Sequence, residues 1–487
     1  MLKAYKYLFF LLLFPVIVSA QQSVGLNFGG IQEDIGYDVI QCSDGGFLLG
    51  GSTKSFGAGN LDIYLIKLNE NGNTEWIKTF GREYDDLIRS VIEVNDGYII
   101  VGDSWNNGYF RLDVYITKID YQGNIIWENL YETPSKNTGY DVLELKDKNI
   151  MILGYSREVD PSGDILLMKT DSEGVVIWKK EFGTQYDDYG IELCEFDTDK
   201  ILIIGTKAGF YDEVYSTYFN SHDADIMLIC VDYEGNELWQ TIYGGDGHDF
   251  GYSVTTIGDS IYVCGSTQSE GNGSFDMLLL KIDKQGNKLW SKTFGGTEYD
   301  YGISMAKNQE GGMYLLGTTK SFGQNHSADF YLVKVDTSGN ELWNLSLGGD
   351  LIDVAYKLSS TADSGVILIG KTNSFGSGYY DVLVVKVDKN GVVENLISGI
   401  DSTYISNLQL YPNPVTDVAK FRTLSAVNIP ELYIEIISLS GKTISSFRVI
   451  KPDYSFSTEN LRSGLYIYRV RKNKNSKIIF TGKLIVR

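Results

Sequence analysis

Histidine, cysteine and proline are scarce in this chain of 487 residues, which holds three, four and seven of them. The histidines (His222, His248 and His326) are scattered, which argues against a histidine-based zinc site. Cys42, Cys194, Cys230 and Cys264 form no CxxC and no Cys/His cluster. Each lies in or beside an apolar run, where a free thiol behaves as a small hydrophobe. An even count in an exported chain leaves disulfides as the alternative. Helix-type periodicity is nearly absent. Beyond the first 20 residues no run is long and apolar enough to span a bilayer. Nucleophile-elbow, phosphate-loop and zinc motifs are missing. Positive charge is also short, 42 Lys/Arg against 63 Asp/Glu. It is unevenly placed: residues 404–487 hold 13 basic and 5 acidic residues, whereas residues 21–403 hold 27 and 58. So acidic a stretch repels nucleic acid and anionic lipid, and neither is expected as a partner.

What is abundant is glycine (53) and tyrosine (34), a composition suited to strands and tight turns. The chain is built on one phrase, cleanest as Asp276-Met-Leu-Leu-Leu-Lys-Ile-Asp-Lys-Gln-Gly-Asn-Lys-Leu-Trp290. Its leading aspartates are Asp62, Asp113, Asp164, Asp225, Asp276, Asp329 and Asp381. Trp76, Trp127, Trp178, Trp239, Trp290 and Trp343 follow at a fixed distance, with Asn395 in the seventh copy. A period near 50 marks a stacked array of supersecondary units. Each unit resolves into four strands; in unit five these are Tyr252–Ile257, Ser260–Thr267, Phe275–Asp283 and Asn287–Phe294. The third is continuously apolar rather than alternating, as in a strand covered on both faces. Strand B carries a glycine in every unit (Gly51, Gly102, Gly154, Gly205, Gly265, Gly317, Gly370), which predicts a bulge or a close backbone approach. The Asp-x-x-Gly link between strands C and D reads as a hairpin turn, and it lacks the alternating ligands and distal glutamate of an EF-type calcium loop.

Seven such units predict an all-β, seven-bladed β-propeller over residues 21–400. An aromatic-Gly signature ends strand D, and it recurs at Phe28-Gly-Gly30 before the first unit. The N-terminal segment is therefore expected to supply the outer strand of blade seven and cover its edge. A separate strand at Val392–Ile397 is the competing closure. Residues 1–20 have the basic start, apolar run and Val18-Ser19-Ala20 site of a secretory signal cleaved after Ala20. No cysteine follows, which disfavours a lipid anchor.

The Asp-x-x-Gly-x-x-x-Trp phrase resembles the tryptophan-docking repeat of quinoprotein-like propellers, with one residue fewer between Asp and Gly. The quinone-binding dehydrogenases of that group would imply a vicinal cysteine pair, which is missing; no cofactor or metal is expected. After a joint at 401–409, residues 410–487 closely resemble the type A C-terminal sorting domain of the type IX secretion system. The resemblance rests on Tyr411-Pro412-Asn413-Pro414, on Gly464-Leu-Tyr466 and on the basic end around Lys483. It implies a small immunoglobulin-like β-sandwich, recognition by the type IX machinery, and export through the periplasm and outer membrane to the surface or medium. Alternating runs such as Tyr433–Ile437 agree with a sandwich.

Two sets of residues are candidates for a site. Asp34, Asp86, Asp188, Asp249, Asp300 and Asp353, with Asn137 in the third copy, stand where the chain enters strand A. They would ring one mouth of the channel as a cation or sugar site. A residue needed in every blade is better explained as architecture, and catalysis requires carboxylates in two different environments. No catalytic residue is assigned. Departures from the repeat are more informative. The B–C loop of unit four, 208–223, is longer than its sisters and carries Tyr211, Tyr215 and Tyr218. The loop of unit two carries Trp105, the only tryptophan outside the repeat phrase. These four are the expected ligand contacts, since aromatic side chains on loops supply contact area for sugars or proteins. The expected function is an exported binding or scaffold propeller for a glycan or protein. A polysaccharide-acting hydrolase or lyase is the alternative.

Overall fold

The computed structural model describes residues 25–394 and 408–486. Left out of the first stretch are residues 59, 107–110, 133–135, 158–161, 209, 213–216, 220–223 and 377. Left out of the second are residues 412–414, 416–417, 424–431, 439–441, 450–452, 459 and 472–477. The leader with Ala20, and Asn395, lie outside the described residues.

Seven antiparallel sheets form a seven-bladed propeller; in blades one to six strands A to D follow in chain order from the inside outward, and in blade seven the outer edge is shared by two short segments. Blade one is Asp34–Gln41, Phe47–Thr53, Asp62–Leu68 and Thr74–Phe80. Blade five is Asp249–Ile257, Ser260–Thr267, Asp276–Ile282 and Lys288–Phe294, so its strand A starts three residues earlier than expected. Strands B and C of blade one are buried at every position, whereas strand D alternates with solvent. That difference follows from stacking. Neighbouring blades cover both faces of B and C, and Leu48 and Leu65 of blade one pack with Ile88 and Ile100 of blade two. Strand A of blade one packs on blade seven and closes the ring.

Closure uses both ends of the array. Leu26–Phe28 pairs with Val382–Val384 of blade seven, and Val393–Glu394 pairs with Lys386–Val387 of the same strand. The two closures proposed from sequence thus share one edge. All four cysteines are free.

The tryptophans join the blades. Trp76, Trp127, Trp178, Trp239, Trp290 and Trp343 are half-buried. They lie against Gly123, Gly174, Gly235, Gly286, Gly339 and Gly391, each in the C–D turn of the next blade. A Cβ on any of these glycines would come within 2.6–3.3 Å of the ring, and all have positive φ, between +70° and +86°. The preceding aspartate shapes the turn: Asp120 Oδ1 accepts from the N–H groups of Gln122 and Asn124 at 2.9 and 2.8 Å. A second tie runs from the buried lysines of strand C. Lys169 donates to Tyr233 O at 3.3 Å and Lys334 to Lys389 O at 2.9 Å, both in the following turn.

The C-terminal region is a separate two-sheet sandwich. One sheet holds Leu408–Tyr411, Val418–Thr423 and Asp453–Ser457. The other holds Thr443–Val449, Leu432–Ser438, Gly464–Arg471 and Ile478–Val486. Ile434, Ile436, Tyr468, Val470 and Leu484 form its core. Its first strand begins at Leu408, inside the stretch expected to be a joint.

Trp290 rests on Gly339, so the two positions should couple. Trp290→Ala is expected to cost about 2–4 kcal/mol and Gly339→Ala about 1–2 kcal/mol from strain at positive φ. The double variant should cost less than their sum by at least about 0.5 kcal/mol. Denaturant titration of the four proteins checks this; strict additivity would show that the ring and the glycine act independently.

Candidate functional site

Every strand A contains a β-bulge at the same place. The register slips between Gly36 and Asp38, Ile88 and Ser90, Gly139 and Asp141, Gly190 and Glu192, Gly251 and Ser253, Gly302 and Ser304, and Ala355 and Lys357. The bulge brings a strand A carbonyl onto the strand B glycine: a Cβ on Gly51 would lie 2.1 Å from Ile35 O, and one on Gly205 1.9 Å from Tyr189 O. This is why strand B needs glycine in every blade. A bulge re-aims the extra side chain, here Tyr37, Arg89, Tyr140, Ile191, Tyr252, Ile303 and Tyr356, at one level of the innermost strands around the channel.

These residues touch one another across blades. Tyr37 meets Tyr356 edge to face, with ring centroids 5.2 Å apart. The Arg89 guanidinium lies 6.0 Å from the Tyr37 ring centroid and 5.2 Å from that of Tyr140, positions that attract a cation to the ring face. Arg89 Nε also donates to Asp103 Oδ2 at 3.3 Å, while Asp103 Oδ1 accepts from Gly139 N at 2.9 Å. Burial raises the pKa of Asp103, with Arg89 opposing. Nearby, Tyr155 stacks on Tyr189 at 4.4 Å, and Lys371 lies 5.7 and 4.9 Å from the rings of Tyr356 and Tyr380.

One step deeper is a polar girdle: Asp38, Ser90, Asp141, Glu192, Ser253, Ser304 and Lys357. A bulge interrupts the ladder and leaves a backbone N–H without its usual partner. At five of the seven junctions the girdle side chain of the preceding blade takes it. Asp38 Oδ2 accepts from Val91 N at 2.7 Å, Asp141 Oδ2 from Leu193 N at 2.8 Å and Glu192 Oε2 from Val254 N at 2.8 Å. Ser253 Oγ accepts from Met305 N at 3.2 Å and Ser304 Oγ from Leu358 N at 3.3 Å. Lysine has no acceptor. At the junction from blade seven to blade one, Val39 N therefore donates to its own Asp38 at 2.8 Å, and Lys357 reaches across the channel to Glu192 Oε1 at 2.5 Å. Burial alone would lower the pKa of Lys357, but Glu192, Asp38 and Asp141 outweigh it and hold the amine charged. Its side chain is 32% exposed, so channel water reaches it. Burial pushes Asp141 up to about 6 against the pull of Lys357, and raises Asp38 for the same reason.

The sequence-derived residues fall elsewhere. Asp34, Asp86, Asp188, Asp249, Asp300 and Asp353 are between 0% and 4% exposed, as is Asn137, and none stands open at the mouth. They bind the link that precedes strand A: Asp34 Oδ2 accepts from Gly30 N at 2.6 Å, Asp86 from Arg82 N at 2.6 Å, and Asp188 from Thr184 N. Asp249 accepts from Gly245 N at 3.0 Å, Asp300 from Gly296 N at 2.6 Å and Asp353 from Gly349 N at 2.7 Å. Ser55, Ser269, Ser321 and Ser374 donate to four of these same carboxylates from the B–C loops. Trp105 is half-buried at the end of strand B in blade two, paired with Leu112. Tyr211 pairs with Tyr218 in a small hairpin, Phe210–Asp212 with Thr217–Phe219. The side chains of Tyr211 and Tyr218, and all of Tyr215, lie outside the described residues. In the sandwich, Gly464 opens a strand facing Val486, Tyr466 OH donates to Arg462 O at 2.9 Å, and Lys483 stands opposite Ile467. Tyr411 ends the first strand; Pro412, Asn413 and Pro414 lie outside the described residues.

The girdle was missed by reasoning that looked for departures only in loops. Aligning the seven A strands shows Asp, Ser, Asp, Glu, Ser, Ser and Lys at that position, and the lysine is the signal.

The fold is a propeller followed by a sandwich. Residues 409–487 match the family described as the secretion system C-terminal sorting domain, and this region is a type IX sorting domain. Over 147 residues the chain is 27% identical to regulatory protein FlaEY of Caulobacter vibrioides, which covers 27% of this chain and 15% of that protein's length. PorZ, a bacterial surface component of the type-IX secretion system of Porphyromonas gingivalis, is similar in structure with a TM-score of 0.42 and 11% identity. That similarity covers 94% of this chain and 60% of PorZ. The Pan2 WD40 domain of Neurospora crassa gives 0.46 and 12%, covering 72% of this chain and 88% of that one. A puromycin hydrolase gives 0.49 and 11%, covering 83% and 62%. No function is carried over from these likenesses.

The raised pKa of Asp141 has a definite sign. The ionised form is disfavoured in the folded state, so its stability term is fully present below the unfolded carboxylate pKa and lost as pH rises through about 6. Asn at this position accepts from Leu193 N and donates to Ser90 Oγ. Asp141→Asn is therefore expected to stabilise by about 1–2 kcal/mol at pH 8, with the difference vanishing by pH 4. Melting curves at both values check it; an equal effect at both would show that burial of charge is not the cause.

Proposed function

We propose that this chain is a ligand-binding propeller whose ligand enters the channel from the face of the B–C loops and D–A links. The sorting domain marks it for type IX secretion, to the cell surface or the medium. The reading that the signal peptide first takes it into the periplasm belongs to the proposal. The observation that carries the binding reading is the ring of bulge residues, in which Tyr37, Arg89, Tyr140, Tyr252 and Tyr356 gather polar-tipped aromatics and a cation around one opening. A concave site lined by aromatics with a few placed polar groups suits a small ligand. Trp105, Tyr211, Tyr215 and Tyr218 are proposed as rim contacts on the same face. The repeated aspartates are assigned to architecture, because each is buried and accepts a backbone hydrogen bond from the link it holds.

An enzyme is the second reading, favoured by one observation: Asp141 and Glu192 share the channel but differ in environment, the first raised in pKa, the second paired with Lys357. Enzymes separate the roles of two carboxylates in this way. A polysaccharide-cleaving activity abolished by both Asp141→Asn and Glu192→Gln would establish it.

Two outcomes test the main reading. Removing residues 404–487 should leave the propeller in the periplasm, detected by fractionation and blotting; undiminished surface or medium levels would refute delivery by the sorting domain. Replacing Trp105, Tyr211, Tyr215 and Tyr218 by alanine should weaken glycan or protein binding by about tenfold or more and shift Tm little. A large fall in Tm with intact binding would make the loop structural.

A further inference from the structure

Just outside strand A, six of the seven blades pair the last residue of the D–A link with a residue at or just past the end of strand B, through a backbone hydrogen bond. The rungs are Glu33 with Lys54, Asp85 with Trp105, Lys136 with Arg157, His248 with Gln268, Tyr299 with Lys320 and Ile352 with Asn373. In blade one the rung is an ion pair, Lys54 Nζ to Glu33 Oε2 at 2.6 Å. In blade six the lysine covers a ring, with Lys320 Nζ 5.6 Å from the Tyr299 centroid. Blade three alone sets two cations opposite each other, Lys136 and Arg157. Like charges directly across a ladder are destabilising. A local choice that opposes the fold, where blade one shows the favourable ion pair at the same rung, is the pattern expected of a functional position.

The surroundings add to the anion-attracting character. Lys136 Nζ and Arg157 Cζ both lie against the ring of Tyr155, at 5.9 and 5.8 Å. Asp187 takes Arg157 Nη2 at 2.8 Å, yet its same oxygen also accepts from Tyr155 OH at 2.7 Å and Gly163 N at 2.8 Å. Three donors therefore share this one carboxylate oxygen. Arg89 follows in the adjoining blade, between Tyr37 and Tyr140. Cations thus converge on one corner of the mouth in an array with 58 acidic and 27 basic residues. The acidic remainder repels long polyanions, so the corner suits a ligand carrying few, spaced carboxylates. The half-buried rings of Tyr140 and Tyr252 offer faces on which a sugar ring packs, whereas a peptide carboxylate needs no such surface.

We propose that this corner of the channel mouth binds an acidic oligosaccharide, with a uronate carboxylate held by Lys136 and Arg157 and adjoining sugar rings on the channel tyrosines. The inference rests on the binding reading above and names its ligand class.

The decisive variant is Lys136→Glu, which gives blade three the ion pair that blade one has. A structural role for Lys136 predicts that its loss destabilises. The proposal predicts the reverse: Tm unchanged or raised by about 1–2 °C, with binding of hexagalacturonate to the purified full chain weakened at least tenfold. Lys136→Arg should retain binding. Isothermal titration with hexagalacturonate, a glucose hexamer and hexaglutamate, at two salt concentrations, separates the outcomes. Salt-sensitive binding of the uronate alone, lost in Lys136→Glu, supports the proposal. Equal binding of the glucose hexamer, unaffected by the variant, overturns the acidic ligand but leaves a glycan-binding module. Preference for hexaglutamate makes the ligand an acidic peptide and overturns the carbohydrate assignment. Absence of any binding by the wild-type chain overturns this inference and removes the glycan arm of the binding reading.

Discussion

The structure depends on a contact between a tryptophan and a turn with no side chain. A blade of four strands has two apolar faces, and each becomes a core only when another blade lies against it. The indole at the start of strand D, set on the turn glycine of the next blade, fixes how far and at what angle that neighbour sits. Trp76 Nε1 donates to Tyr121 O at 3.1 Å, and Trp343 Nε1 to Lys389 O at 3.3 Å, so the ring is anchored to backbone as well as packed on it. The buried lysines of strand C grasp carbonyls of the same turns. One short turn therefore receives two ties from its predecessor, and a small error in its geometry would be passed around the ring.

Much of this was legible in the residues. Asp and Trp at a fixed spacing counted the blades, and the continuous apolar run Met277–Leu280 showed that strand C had to be covered twice. Gly and Asp placed the hairpins because positive φ and side-chain capping have few other solutions. Tyr-Pro-Asn-Pro and Gly-Leu-Tyr located the sorting domain. Less legible was the strand B glycine. Its cause lies on another strand, in a bulge that no local pattern announces. The girdle escaped for a related reason: alternation along a strand hides a residue that a register slip has turned inward. Blade-seven closure could be narrowed to two segments, but not apportioned, since both have strand-like composition and the edge has room for both.

The repeated aspartates and the girdle teach opposite lessons about acidic residues in a repeat. Asp34 and its sisters recur in six of the seven blades, with Asn137 in the third, because each blade has a similar link to hold. The girdle varies because any acceptor of the right reach serves a bulge N–H, whether Ser, Asp or Glu. Tolerance of that kind is where a new property can enter without loss of the fold. Lys357 occupies a position where the requirement was met differently, by Asp38 binding its own neighbour.

Closure by Leu26–Phe28 bears on the timing of folding. Its partners, Val382–Val384, are at the far end of the array, so this pairing carries the longest loop in the propeller and the largest closure entropy. Blades one to six can form from contiguous segments, but the ring cannot shut until the last blade exists. A chain threaded through a membrane from its N-terminus thus carries an unsatisfied edge strand for the whole of its passage. That exposed edge is open to any strand able to pair with it, and it disappears only when the molecule becomes a closed disc.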